Sequence, residues 1–131
     1  MSDPAAPVRL LVIEDNPESL DLMMYLLQAF GYAAFAAEDG ESGLEAAAEL
    51  RPDLIICDIH LPRMDGFGVV QRLKADPDLQ MTPVLAVTAL AMVGDRDRVL
   101  AGGFDGYISK PIDPLTFGGL VKRHLKPPLI C

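Results

Sequence analysis

Apolar runs of strand length alternate with amphipathic stretches of helix length along this chain, and no other feature restricts its possible folds so tightly. The runs at 8–13, 33–37, 54–57, 84–87 and 106–108 are short and mostly apolar throughout, not at every second position. A strand with one wet face would alternate. These runs ask for cover on both faces, the condition of a parallel sheet between two helical layers. Five such strands, each followed by a helix, predict a doubly wound α/β fold.

The helical stretches carry their own start and stop signals. Asn16 can cap a first helix with Pro17 in its first turn, and Leu20, Met23, Met24 and Leu27 recur at helical spacing before Gly31 ends it. Asp39, Gly40 and Ser42 open a second, which ends before Pro52; a third starts near Gly66 and breaks at Asp76-Pro77. A fourth, from about Val93, stops at Gly102-Gly103, and its Asp95, Arg96, Asp97 and Arg98 form a solvated face. Asp113-Pro114 opens the fifth, which buries Phe117, Leu120 and Val121 although Gly118-Gly119 weakens it. In 131 residues there is room for one domain with a hydrophobic core and not for two domains. The expected domain spans 8–126, with a disordered tail at 1–7 and a short tail at 127–131.

The longest apolar runs fall far below the roughly 20 residues of a membrane span, and no charged-then-apolar leader opens the chain, so a cytoplasmic protein is expected. Cys57 lies in an apolar run and Cys131 is the last residue; they read as a buried hydrophobe and a terminal thiol, not as a bridge. A formal net charge of -8 argues against nucleic acid and anionic membranes, whose binding needs Lys and Arg to neutralise phosphates. The expected partners are proteins.

Ligands of open parallel sheets bind beyond the carboxyl ends of the strands, where strand order reverses. Here the first strand ends in Glu14-Asp15, the third in Asp58, the fourth in Thr88 and the fifth in Ser109-Lys110. Any one polar residue at a strand end only marks the chain leaving the core. Four ends together bring three carboxylates, hydroxyls and one ammonium to one rim. Carboxylates so crowded either take up protons or gather a cation, and an all-oxygen set suits Mg²⁺ or Mn²⁺. The metal and Lys110 would then receive an anion, as phosphoryl transfer requires. Asp58, on the central strand, is the candidate nucleophile, able to form an acyl phosphate; Glu14 and Asp15 are candidate ligands to the metal or its water.

Glu14-Asp15, the stretch from Asp58 through His60, Pro62 and Asp65 to Gly66, Val87-Thr88-Ala89 and Tyr107-Ile108-Ser109-Lys110-Pro111 together resemble a response-regulator receiver domain, over 8–125. The stretch 87–111 is most similar to stand-alone single-domain regulators of the DivK kind. The resemblance implies a flavodoxin-like (βα)5 sheet with strand order 2-1-3-4-5. It implies that Asp58 accepts a phosphoryl group from a phosphohistidine on a histidine kinase or histidine phosphotransfer protein. Asp15, Asp58 and the backbone carbonyl of His60 would hold Mg²⁺, with Glu14 supporting through water. Lys110 and Thr88 would contact phosphoryl oxygens, Tyr107 would be an aromatic switch, and Lys110-Pro111 would be a cis peptide. The readout would be the face of the fourth helix, fifth strand and fifth helix, offered to a downstream protein by a monomer or a phosphorylation-dependent dimer.

Other readings fit less well. A flavodoxin-like cofactor binder needs hydroxyl or glycine donors after the first strand, where Glu14-Asp15 would repel a phosphate. An aspartate-nucleophile phosphatase needs a second carboxylate two residues on, where Pro17 or His60 stands. The chain is therefore expected to be a signalling phosphoacceptor with only intrinsic self-phosphorylation and autodephosphorylation, not an enzyme. A receiver from a hybrid histidine kinase and a phosphorylation-independent interaction module remain as alternatives. Leu90 and His60, each two residues beyond a site residue, should flank the path of a water attacking the phosphoryl group, and a bulky apolar Leu90 should hinder it. Replacing Leu90→Glu is accordingly expected to speed autodephosphorylation; an unchanged half-life would contradict a shielding role.

Overall fold

The computed structural model describes residues 7–89 and 94–125. The expected tails lie outside these residues apart from Pro7, as do Leu90, Cys131 and Val93. The elements are β1 (Arg9–Ile13), α1 (Pro17–Ala29), β2 (Ala33–Ala37), α2 (Gly40–Leu50), β3 (Leu54–Asp58), α3 (Gly66–Ala75), β4 (Val84–Thr88), α4 (Asp95–Ala101), β5 (Gly106–Ser109) and α5 (Pro114–His124). All strand pairs are parallel, in the order β2-β1-β3-β4-β5. The chain steps outward from β1 to β2 and then returns to the other side of β1 as β3. That reversal opens the crevice between the carboxyl ends of β1 and β3.

Period-two geometry divides the strand side chains between two cores. Leu11, Ile13, Ile55, Cys57 and Ala86 point to one face and meet Ala47, Val69, Leu73 and Val99 of α2, α3 and α4. Leu10, Val12, Leu54, Ile56, Leu85, Val87 and Ile108 point to the other and meet Met23 and Leu27 of α1 and Phe117 and Val121 of α5. Both faces being covered explains why β3 and β4 are buried at every position. Each fully buried aliphatic side chain contributes about 1.5–3 kcal/mol relative to an exposed one.

Side chains cap four of the helices. Asn16, Asp39, Asp65 and Asp113 each place a side-chain oxygen on a backbone N–H two or three residues ahead, from Ser19, Ser42, Gly68 and Leu115. Asp65 thus acts as a helix opener. Boundaries shift at three strand ends, because Asp58, Thr88 and Ser109 keep their backbones in the ladder although their side chains are polar. β1 begins one residue later than expected, at Arg9. α4 begins at Asp95 behind a left-handed Gly94 and has no side-chain cap.

The start of α3 lies directly on the end of β3. The N–H of Gly66 donates to the carbonyl of Ile59 at 2.8 Å, and a Cβ at Gly66 would come within 2.6 Å of the Asp58 carbonyl oxygen. Gly119, within α5, has open space where its Cβ would lie. Gly66→Ala is therefore expected to lower stability by about 1–3 kcal/mol through overpacking, whereas Gly119→Ala raises it by up to about 1 kcal/mol through helix propensity. Urea unfolding midpoints of the two variants check the contrast.

Candidate functional site

Because β1, β3, β4 and β5 are consecutive neighbours, their carboxyl ends deliver Glu14, Asp58, Thr88 and Lys110 to one crevice. The Lys110 ammonium lies 2.7 Å from Asp58 Oδ2 and 3.1 Å from Glu14 Oε1. The Lys110 N–H donates to the Thr88 carbonyl at 2.9 Å, which sets where its side chain departs, and the Lys110–Pro111 peptide is cis as expected. The other Asp58 oxygen, Oδ1, accepts the backbone N–H of His60 at 2.8 Å. Asp58 is thereby held at both carboxylate oxygens, by a charge on one side and a backbone dipole on the other.

Glu14 is the anomaly of the site. It is fully buried, and Oε2 accepts only a long 3.3 Å hydrogen bond from the Asn16 N–H. Oε1 lies beside Lys110 but has no aligned hydrogen bond. Burial, followed by the adjacent Asp58, pushes the Glu14 carboxyl up to about 7. Burial also presses Asp58 upward, but hydrogen bonding with Glu14, Lys110 and the His60 N–H outweighs it and holds Asp58 below the ordinary carboxylate range. Lys110 moves upward, since the two carboxylates overcome its own desolvation. Of the two neighbouring carboxyls, Asp58 is therefore the more readily ionised.

Asp15 is exposed at the rim. Carboxylate oxygens of Glu14, Asp15 and Asp58 lie within 4.8 Å of one another. One ammonium does not neutralise three carboxylates, and Glu14 Oε1 still lacks a hydrogen-bond donor. An all-oxygen set with excess negative charge fits a hard divalent cation and contains none of the His or Cys that zinc favours.

Thr88, His60 and Tyr107 lie on β4, in the β3–α3 loop and on β5. Thr88 is buried at the end of β4, where Val87 pairs with Asp58. The His60 side chain is exposed, so its contact with the site is through its backbone. Tyr107 is half-buried on β5, opposite Ala86, and lines a cleft of about 450 Å³ with Arg96, Leu100, Leu120 and Arg123 of α4 and α5. Cys57 is a buried free thiol donating to the Asp58 carbonyl at 3.4 Å; burial and the nearby carboxylates raise it far above the thiol range. The sequence reading missed the Asn16 and His60 N–H donors and the pairing of Lys110 with Glu14. Backbone donors leave no mark in residue type, and the pairing spans nearly the whole chain.

The sequence profile of the response regulator receiver domain matches residues 10–121. The polar-differentiation response regulator DivK of Brucella anthropi is 42% identical over 119 residues, covering 91% of this chain and 97% of that protein. Among solved structures, the chemotaxis response regulator CheY4 of Vibrio cholerae superimposes with a TM-score of 0.86 at 28% identity, covering 92% of this chain and all of that one. The receiver domain of the sensor histidine kinase PA1611 of Pseudomonas aeruginosa, solved with a magnesium ion in its active-site cleft, gives 0.83 at 29% identity over 91% of this chain and 98% of that one.

The raised Glu14 carboxyl sets a pH dependence. The folded metal-free protein binds the Glu14 proton more tightly than the unfolded chain does. The resulting stability is fully present below about 4.5 and is lost as pH rises through about 7. Glu14→Gln, which cannot lose this proton, is expected to melt several degrees above wild type at pH 8 in the absence of divalent metal. The two should converge towards pH 4.5 in calorimetric scans.

Proposed function

The chain belongs to the response regulator receiver family, and from that premise we propose that Asp58 accepts a phosphoryl group from a phosphohistidine on a histidine kinase or histidine phosphotransfer protein. The observation that carries this reading is the Asp58 carboxylate itself, an anion at the switch point with an ammonium 2.7 Å from one oxygen and a backbone N–H on the other. In the transfer, a carboxylate oxygen of Asp58 forms a bond to phosphorus. The phosphorus–nitrogen bond breaks, and its electron pair returns to the donor imidazole. Lys110 is close enough to follow the charge from the carboxylate to a phosphoryl oxygen, and Thr88 supplies a hydroxyl to another.

Asp15, Asp58 and the His60 carbonyl would hold Mg²⁺ or Mn²⁺, with Glu14 acting through water; the magnesium ion in the PA1611 receiver supports that choice. Bound there, the ion supplies charge neutralisation to the phosphoryl oxygens. The signal would be read where Tyr107 lies between α4 and α5, by a downstream protein and without direct contact to nucleic acid or membrane. The protein would act as a monomer or a phosphorylation-dependent dimer. Among the described residues no helix is long and apolar enough to cross a membrane, and the cytoplasm is the proposed compartment. Near-complete coverage of the DivK protein, with higher identity than to the receiver domain of the sensor histidine kinase PA1611, supports the reading as a stand-alone regulator; it would act by protein contact and not as an enzyme.

Incubation with a small phosphodonor and Mg²⁺ is expected to add the mass of one phosphoryl group to wild type and none to Asp58→Asn. Lys110→Ala should slow the gain by about 10²–10³-fold, the usual effect of removing one donor to developing charge. An unchanged wild-type mass, where a control receiver is labelled, would contradict the proposal.

A further inference from the structure

The loop from β3 to α3 carries the His60 carbonyl, and it is fixed unevenly. Its base is closed by the Gly66 N–H on the Ile59 carbonyl, and Leu61 is buried beneath it. Its tip, Pro62 and Arg63, is exposed. Arg63 nevertheless has a positive φ of 65°, as the central residue of a tight turn in which the Met64 N–H donates to the Pro62 carbonyl at 2.7 Å. A side-chain-bearing residue persists in that region only where its surroundings hold it there.

Two contacts to the start of α2 provide the hold. The Arg63 guanidinium lies 3.1 Å from Asp39 Oδ2, while the other oxygen of Asp39 caps α2 on the Ser42 N–H at 2.8 Å. Beside that pair, Gly40 packs so closely that a Cβ there would meet the Met64 carbonyl oxygen at 3.1 Å. The loop tip is thus strapped to an element that contributes no group to the acidic site. The Asp39 carboxylate has one oxygen for the helix and one for the loop.

We propose that Arg63 is a positioning residue for the metal site: its ion pair with Asp39 holds the loop that presents the His60 carbonyl, so divalent-metal affinity depends on Asp39, which is not a ligand. The inference rests on the metal reading given above. Because the pair is partly exposed, its effect is modest and sensitive to salt.

The test is a Mg²⁺ titration of the metal-free full chain at low ionic strength, followed by amide NMR shifts, with melting temperature measured alongside. Arg63→Ala has the same left-handed backbone requirement as arginine and removes only the tie. Asp39→Asn retains a capping side chain and removes only the charge. Each is expected to weaken Mg²⁺ binding by about two- to fivefold, the double variant no more than either single one, with partial recovery in Arg63→Lys and little change in melting temperature. Unchanged affinity in either single variant, or effects that multiply in the double variant, would overturn the role of the pair. Absence of Mg²⁺ binding by wild type would overturn the metal reading as well.

Discussion

One ammonium facing two buried carboxylates is the contact on which the rest of this structure depends. Lys110 reaches Asp58 and Glu14 from β5, across the ends of β4 and β3 to the end of β1. It can do so only if those four strands are neighbours in parallel register with their carboxyl ends level. The apolar ladder beneath supplies that alignment, and the two helical layers make the strands rigid enough to keep it. Without Lys110, three carboxylates would face one another across a few ångströms of partly desolvated space.

The arrangement is a poor way to stabilise a fold. A fully buried glutamate whose Oε1 lacks an aligned donor costs free energy, and buried ion pairs are often no better than apolar packing of the same volume. Its chemistry explains it better. The proposed uptake of a cation and then a phosphoryl group needs unsatisfied oxygen lone pairs and a nearby positive charge before either arrives. Burial raises the Glu14 carboxyl while hydrogen bonds hold Asp58 below the ordinary carboxylate range, so two carboxylates of the same chemical type are set apart, and Asp58 is the one better suited to the proposed attack on phosphorus.

Much of this is legible in the sequence. Unbroken apolar runs reveal strands covered on both sides, and the Asn or Asp residues at 16, 39, 65 and 113 mark where four helices start. The strand order is not contained in that alternation, which fits several windings equally well; it came from the resemblance of Asp58, Thr88, Lys110 and their flanks to receiver domains. Strand ends were drawn one residue short at Asp58, Thr88 and Ser109, since a polar side chain says nothing about whether its own N–H and C=O still pair. Ion pairs between distant positions, such as Arg63 with Asp39, leave no local periodicity. They become visible only when the β3–α3 loop lies beside α2.

The central claim, that the phosphoryl group rests on Asp58, is tested most directly by locating it. Borohydride reduces an acyl phosphate to the alcohol, so trapping the phosphorylated protein and sequencing its peptides by mass spectrometry identifies the residue that carried the group. The account predicts homoserine at position 58 and unmodified carboxylates at positions 14 and 15. Homoserine at position 15, or phosphate retained on a histidine with Asp58 intact, would contradict it.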